Sequence, residues 1–286
     1  MADALTIIQN SDLPAMRRLL AKLSPDCTTG ESKDSWLMHA INSSDAQMVS
    51  LLLDAKASVE YQNSKGMRAL DMANSSPGIE KLQLLIDAKA NVNYVSGTLG
   101  VSPLLFAVQF TNYAKTACLL KGKADPNMAG IAQPLAVAAS YGNLSLVRLL
   151  LEHKADPNVK FGGERPLLAA EGNSILDYAI RIRNVPLCTV LLAFDADLTQ
   201  NSARSMAKQP VLLRMARAVK MADDVGTPRS EALNGTSLQG RCINVAAKSD
   251  ELDKIYELKF DVLEPEERAA TTEAATPQSH ETTSNS

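Results

Sequence analysis

Apolar triplets return along this chain at nearly even intervals, and each is followed by a polar turn that opens on alanine. The triplets are Leu51-Leu52-Leu53, Leu84-Leu85-Ile86, Cys118-Leu119-Leu120, Leu149-Leu150-Leu151 and Val190-Leu191-Leu192. Their first members lie 33, 34, 31 and 41 residues apart. The turns read Ala57-Ser58-Val59-Glu60, Ala90-Asn91-Val92-Asn93, Ala124-Asp125-Pro126-Asn127, Ala155-Asp156-Pro157-Asn158 and Ala196-Asp197-Leu198-Thr199. A period near 33 residues marks a stacked repeat protein, whose units bury their apolar faces only against neighbours and bind partners over the surface.

The stretch from Ser102 to Asn127 shows what one unit predicts. Ser102 can cap a helix, and Pro103 suits the first helical position. Leu104, Ala107 and Val108 then share one face at helical spacing. After a break at Thr111-Asn112, a second helix turns Thr116, Leu119 and Leu120 inward, and Gly122-Lys123-Ala124-Asp125 ends it in a polar finger. The pairs Leu37/Ala40, Leu70/Ala73, Leu104/Ala107, Leu135/Ala138 and Leu176/Ala179 fill the same Leu-x-x-Ala slots. A small residue at the second slot lets adjacent first helices approach closely.

Ser102-Pro103-Leu104-Leu105-Phe106-Ala107 and Gln133-Pro134-Leu135-Ala136-Val137-Ala138 resemble the opening of the ankyrin repeat, Thr-Pro-Leu-His-x-Ala. The whole unit from Pro134 to Asn158 carries the resemblance furthest, and register holds from about residue 1 to 200. The implied fold is an all-α repeat solenoid of stacked, ankyrin-like helix–turn–helix units joined by β-turn fingers. The family's histidine is absent: Met38, Asp71, Leu105, Ala136 and Asp177 stand in its place. The family's glycine after the second helix is replaced by Lys56, Lys89, Lys123, Lys154 and Asp195. If the backbone there stays left-handed, each costs ~1 kcal/mol.

The ends of the array are weaker copies. Residues 1–25 read as a degenerate first unit, with Leu13, Met16, Leu19 and Leu20 on a second-helix stripe and Pro14 in its first turn, as Pro186 is in the fifth unit. Ser202 to Met221 predicts two short helices split at Pro210 and bearing Arg204, Lys208, Arg214, Arg217 and Lys220, the solvated face of a capping repeat. Residues 1–222 thus form the array. Residues 223–240 read as a linker, 241–263 as a degenerate repeat or docking helices, and the Thr/Ser/Ala/Glu-rich 264–286 as a disordered tail.

Composition narrows the function classes. Aromatic residues are 4% of 286, so the core must be aliphatic. A net charge of -3 argues against nucleic acid or a membrane surface as the main partner. No run approaches the roughly 18 apolar residues of a membrane span, and the start has no secretory character. Four cysteines, Cys27, Cys118, Cys188 and Cys242, form no CxxC pair and read as free thiols of an intracellular, cytoplasmic or nuclear protein. His39, His153 and His280 are scattered, and no phosphate-binding or zinc-protease signature occurs. No catalytic residue, cofactor or metal is expected. Thr227-Pro228-Arg229-Ser230 fits a phosphorylation site.

The resemblance implies a protein-binding scaffold, monomeric alone, that meets its partner on a concave face of finger tips and first-helix edges. A structural subunit of a larger assembly is the alternative. Counted from the Thr-like residue, the ninth position of each unit lies on that edge: Ser43, Ser76, Phe110, Tyr141 and Ile182. Phe110, Tyr141 and Ile182 are large and apolar on consecutive units, as an interface core would be. Met67 and Tyr94 add finger contacts. The long finger between Asn158 and Ser174, which accounts for the 41-residue interval, offers Lys160, Phe161 and Arg165.

Overall fold

A computed structural model describes residues 4–43, 45–97, 100–128, 131–160 and 174–234. The segments 241–263 and 264–286 lie outside the described residues. The chain divides into two bodies, one ending at Ile175 and the other beginning at Leu176.

In the first body the helices come in pairs: α1 Ala4–Gln9 with α2 Leu13–Leu20, α3 Trp36–Asn42 with α4 Ala46–Asp54, α5 Ala69–Ser75 with α6 Glu80–Asp87, α7 Pro103–Gln109 with α8 Tyr113–Lys121, and α9 Pro134–Ser140 with α10 Leu144–Glu152. The first members pack side by side in one layer, each on the next, and the second members do the same in another. Between α2 and α3 the finger is a short hairpin of β1 Thr28–Thr29 and β2 Asp34–Ser35, paired antiparallel with Thr28 opposite Ser35. The core runs between the layers. Leu37/Ala40, Leu70/Ala73, Leu104/Ala107 and Leu135/Ala138 are all buried, as are Met48, Leu82, Leu119 and Leu150 of the second helices.

Local signals set the ends of these helices. Asp12, Asp45, Asn112 and Asn143 cap the second helices, each accepting a hydrogen bond from a backbone N–H two or three residues on. Ahead of three of these caps the chain reverses at a left-handed residue: Ser11 (φ 52°), Thr111 (φ 50°) and Gly142 (φ 65°). The turn from α5 to α6 is one residue longer. Pro77 forces Ser76 to extended backbone (φ -71°, ψ 158°), and Ile79 then begins α6 with no side-chain cap. The C-terminal end of α5 is closed from the next unit. The ammonium of Lys115, itself 5% exposed, donates to the carbonyls of Asn74 and Ser76 at 2.5 Å each. Lys81 does the same for Ile41 at the end of α3. Both lysines occupy a core position held by Met48 and Leu146 in other units. Burial pushes both ammonium pKa values down from the ordinary lysine value. The negative end of the helix dipole and the carbonyl acceptors favour the charge in return.

The polar fingers hold neighbouring units together. Asn93 donates through Nδ2 to the carbonyl of Lys123 (3.0 Å) and accepts from the Asp125 N–H (2.8 Å). Asn127 does the same one unit on, with Lys154 (2.9 Å) and Asp156 (2.7 Å). Earlier rungs are Asp26 to the Ser58 N–H and Glu60 to the Asn91 N–H. Lys56, Lys89, Lys123 and Lys154, standing where the resembling family has glycine, all have φ of 66–68°. The left-handed backbone expected there is present.

The second body holds α11 Ile175–Arg181, whose first residue closes the other body, then α12 Val185–Ala193, α13 Gln200–Ala207, α14 Pro210–Val225 and α15 Arg229–Asn234. Asn184 caps α12 after left-handed Arg183, repeating the first body's device, and Asp195 has φ 62°. Leu176 and Ala179 are buried. The stretch read as a linker from residue 223 is helical to Val225 and again at Arg229–Asn234. Asp223 and Asp224 are exposed residues in the last turn of α14. The helix stops at Gly226 (φ 75°), with the Thr227 N–H returning to the Ala222 carbonyl at 2.9 Å.

Two consequences can be measured by denaturant unfolding. Lys115→Ala leaves two carbonyls without their donor and a gap at a core position, and should cost about 2–4 kcal/mol, against under about 0.5 kcal/mol for exposed Lys121→Ala. Lys89→Gly and Lys154→Gly relieve a left-handed Cβ and should each stabilise by roughly 0.5–1 kcal/mol; no gain at either site would show that the turns carry no strain.

Candidate protein-binding surface

The first helices α3, α5, α7, α9 and α11 each end on one residue whose N–H returns to the carbonyl four positions earlier. In order these pairs are Ser43 to His39, Ser76 to Met72, Phe110 to Phe106, Tyr141 to Val137 and Ile182 to Tyr178. The five residues read from the sequence as equivalent are therefore structurally equivalent. At Phe110, Tyr141 and Ile182 the next residue, Thr111, Gly142 or Arg183, has positive φ and sends the chain away toward the second helix. That leaves the side chain of the capping residue at the rim of the layer.

What stands on the rim differs by unit. The hydroxyls of Ser43 and Ser76 turn back onto their own helices, donating to Ala40 (3.2 Å) and Ala73 (2.9 Å). Phe110 is 67% exposed and Tyr141 48%, on the neighbouring helices α7 and α9. The Phe110 ring lies against Phe106 with centroids 4.7 Å apart and planes tilted by 44°. That contact orders an exposed aromatic side chain, as a pre-formed anchor requires. Tyr113 at the start of α8 and Ile131 before α9 are also exposed in this body. The repeat pattern missed both. Ile182, in the second body, is 45% exposed.

The finger residues divide. Lys160 is exposed, and its backbone bridges antiparallel to Ser174, which brings the two ends of the long finger together. Phe161 and Arg165 lie outside the described residues. Met67 is half-buried. Tyr94 departs from the exposed contact expected of it: it is 8% exposed and its hydroxyl donates to Asp71 Oδ1 at 2.7 Å. The Arg68 guanidinium stacks 4.2 Å from the centre of its ring while bonding Glu60 at 2.5 Å. Burial, then the Asp71 charge, holds the Tyr94 phenol well above its ordinary pKa. Asp71, which replaces the histidine of the resembling family, thus ties a finger to a helix, and Tyr94 serves the stack.

Cys118 and Cys188 are buried free thiols, and burial pushes Cys188 up to about 12; Cys27 is a half-buried free thiol. Among the described residues, no three His, Cys, Asp or Glu side chains are grouped to hold a metal ion. No helix among them is long and apolar enough to cross a membrane. In the second body, Arg204, Lys208, Arg214 and Arg217 are exposed on α13, its C-terminal end and α14.

The family model for ankyrin repeats (3 copies) matches residues 78–161 and 104–202. No curated protein matches the chain in sequence. Among solved structures, the ankyrin repeat domain of Bcl-3, a member of the IkappaB family, is similar at 24% identity, covering 69% of this chain and 87% of that one, with a TM-score of 0.58. An ankyrin repeat domain from Acinetobacter baumannii is similar at 18% identity, with 68% and 98% coverage and a TM-score of 0.58. A third match is to a chain in the complex of the predatory endopeptidase Bd0816 of Bdellovibrio bacteriovorus with immunity protein Bd3460, at 24% identity, 66% and 97% coverage and a TM-score of 0.51. These likenesses establish the fold. The family model marks ankyrin repeats within residues 78–202, and ankyrin repeats are generally modules for protein–protein interaction.

Proposed function

We propose that this chain is a scaffold or adaptor that binds a partner protein along the first-helix rim of its first body, with Phe110 and Tyr141 as the anchors. The observation that carries the reading is the pairing of two large, exposed aromatic residues at equivalent positions of adjacent units, where Ser43 and Ser76 leave the rim small and polar. Exposed apolar groups of this size are costly in water, and interfaces draw most of their energy from a few such anchors. The Bdellovibrio match, a chain in a two-protein complex, is in keeping with this use of the fold. Ile182 holds the same place in its own unit, and Lys160, Phe161 and Arg165 of the long finger form a further candidate contact. Each of these is tested separately from the rim pair.

The test is capture from native lysate, with the partner identified by mass spectrometry and its affinity then measured on purified protein. Phe110→Ser with Tyr141→Ser should lower affinity at least a hundredfold, at roughly 2 kcal/mol per anchor, with little change in the unfolding midpoint. Unchanged affinity in that variant would remove the rim as the site; a loss confined to Lys160→Ala or Phe161→Ala would move it to the long finger.

A further inference from the structure

Thr227 and Pro228 lie, exposed and outside any helix, between α14 and α15. The left-handed Gly226 and the bond from the Thr227 N–H to Ala222 end α14 firmly, so the dipeptide is not drawn into it. A residue before proline favours extended backbone, the form in which a chain can enter a kinase cleft. Two residues on stands Arg229, the fastening of α15. Its Nε and Nη2 donate to the two oxygens of Asp223 at 2.7 and 2.8 Å, and its Nη1 donates to the Ala196 carbonyl at 2.8 Å. Asp195 lies 3.8 Å from Nε, and Asp197 also acts on the guanidinium charge. One side chain therefore joins the turn after α12, the last turn of α14 and the start of α15. Beyond it, α15 packs on α12 and α14 and buries Leu233.

We propose that Thr227 is a phosphorylation site for a proline-directed kinase and that its phosphate releases the Arg229 fastening. In the transfer, Thr227 Oγ bonds to the γ-phosphorus of a nucleoside triphosphate held by the kinase. The bond from that phosphorus to the bridging oxygen breaks, the diphosphate leaves, and the hydroxyl proton passes to a base of the kinase. The product carries about -1.5 to -2 charges and three strong acceptor oxygens. Placed two residues from Arg229, it competes with the single charge of Asp223 for the guanidinium and repels the aspartates gathered there. α15 then loses its ties to Asp223 and Ala196 and opens locally, while α12 and α14 keep their buried contacts.

The experiment uses the full chain in two parts. The unmodified protein, its Thr227→Ala variant and a peptide spanning residues 222–233 are incubated with a cyclin-dependent kinase and MgATP, and phosphate is located by mass spectrometry. Hydrogen exchange is then followed in full chain carrying phosphothreonine installed at 227 by genetic encoding, beside unmodified protein and Arg229→Ala. The expected results are phosphate on Thr227 in both the protein and the peptide and at least tenfold faster exchange at residues 230–234 in the phosphorylated chain. Arg229→Ala should show the same acceleration with no phosphate, and adding phosphothreonine to that variant should change nothing more. A peptide that is phosphorylated while the folded chain is not, or no phosphate on either, would overturn the site. Unchanged exchange at 230–234 in the phosphothreonine chain would overturn the release.

Discussion

Everything in the array rests on the close approach of one first helix to the next, which Ala40, Ala73, Ala107 and Ala138 permit. A helix pair of this size leaves one face uncovered, and only a neighbouring pair can cover it. Stability is therefore built from interfaces between units, each lined by buried leucines and alanines of the first helices. The rim residues inherit their positions from that stack. Phe110 and Tyr141 stand where they do because α7 and α9 are held side by side and end in the same way.

The polar parts of the fold answer to the same constraint. Stacking buries backbone groups at helix ends and turns, which then need partners. Asparagine and aspartate meet most of that need locally, as caps at Asp12, Asp45, Asn112 and Asn143. At the end of α5, where Pro77 lengthens the turn, Lys115 reaches across from the next unit to the carbonyls of Asn74 and Ser76. A buried lysine is tolerable there because carbonyls at a helix C-terminus surround its charge with the acceptors it requires.

Much of this was legible in the sequence because period and chirality are carried by residue type. The Leu-x-x-Ala slots and the second-helix stripe of residues 13–20 follow from spacing alone, and the five rim positions from the resemblance. The left-handed turns at Lys56, Lys89, Lys123 and Lys154 followed from the resemblance, since only glycine's place in a related pattern marks them. Partnerships across units did not follow. Tyr94 looked like a finger contact because its acceptor, Asp71, lies in the preceding unit, and the spacing did not mark Lys115 as a buried donor. Asp223-Asp224 suggested a loop, although acidic residues on the outer side of a last helical turn look the same in sequence. The rim aromatics were found by counting. Their exposure, and that of Tyr113 and Ile131, depended on side-chain packing that counting does not reach.

The clamps on the turn N–H groups run in one direction. Asp26, Glu60, Asn93 and Asn127 each accept from a backbone N–H in the turn of the following unit, while in the early fingers Tyr61 and Ser64 donate back to the carbonyls of Lys33 and Ser32. These clamps therefore have a polarity that the near-repeating helices conceal. Removing units from the C-terminal side leaves every remaining turn with its clamp, whereas removing them from the N-terminal side strips the clamp from the first turn retained. A chain made from its N-terminus onward thus presents each new turn to a clamp that already exists, and the array is suited to growing in the order of its synthesis.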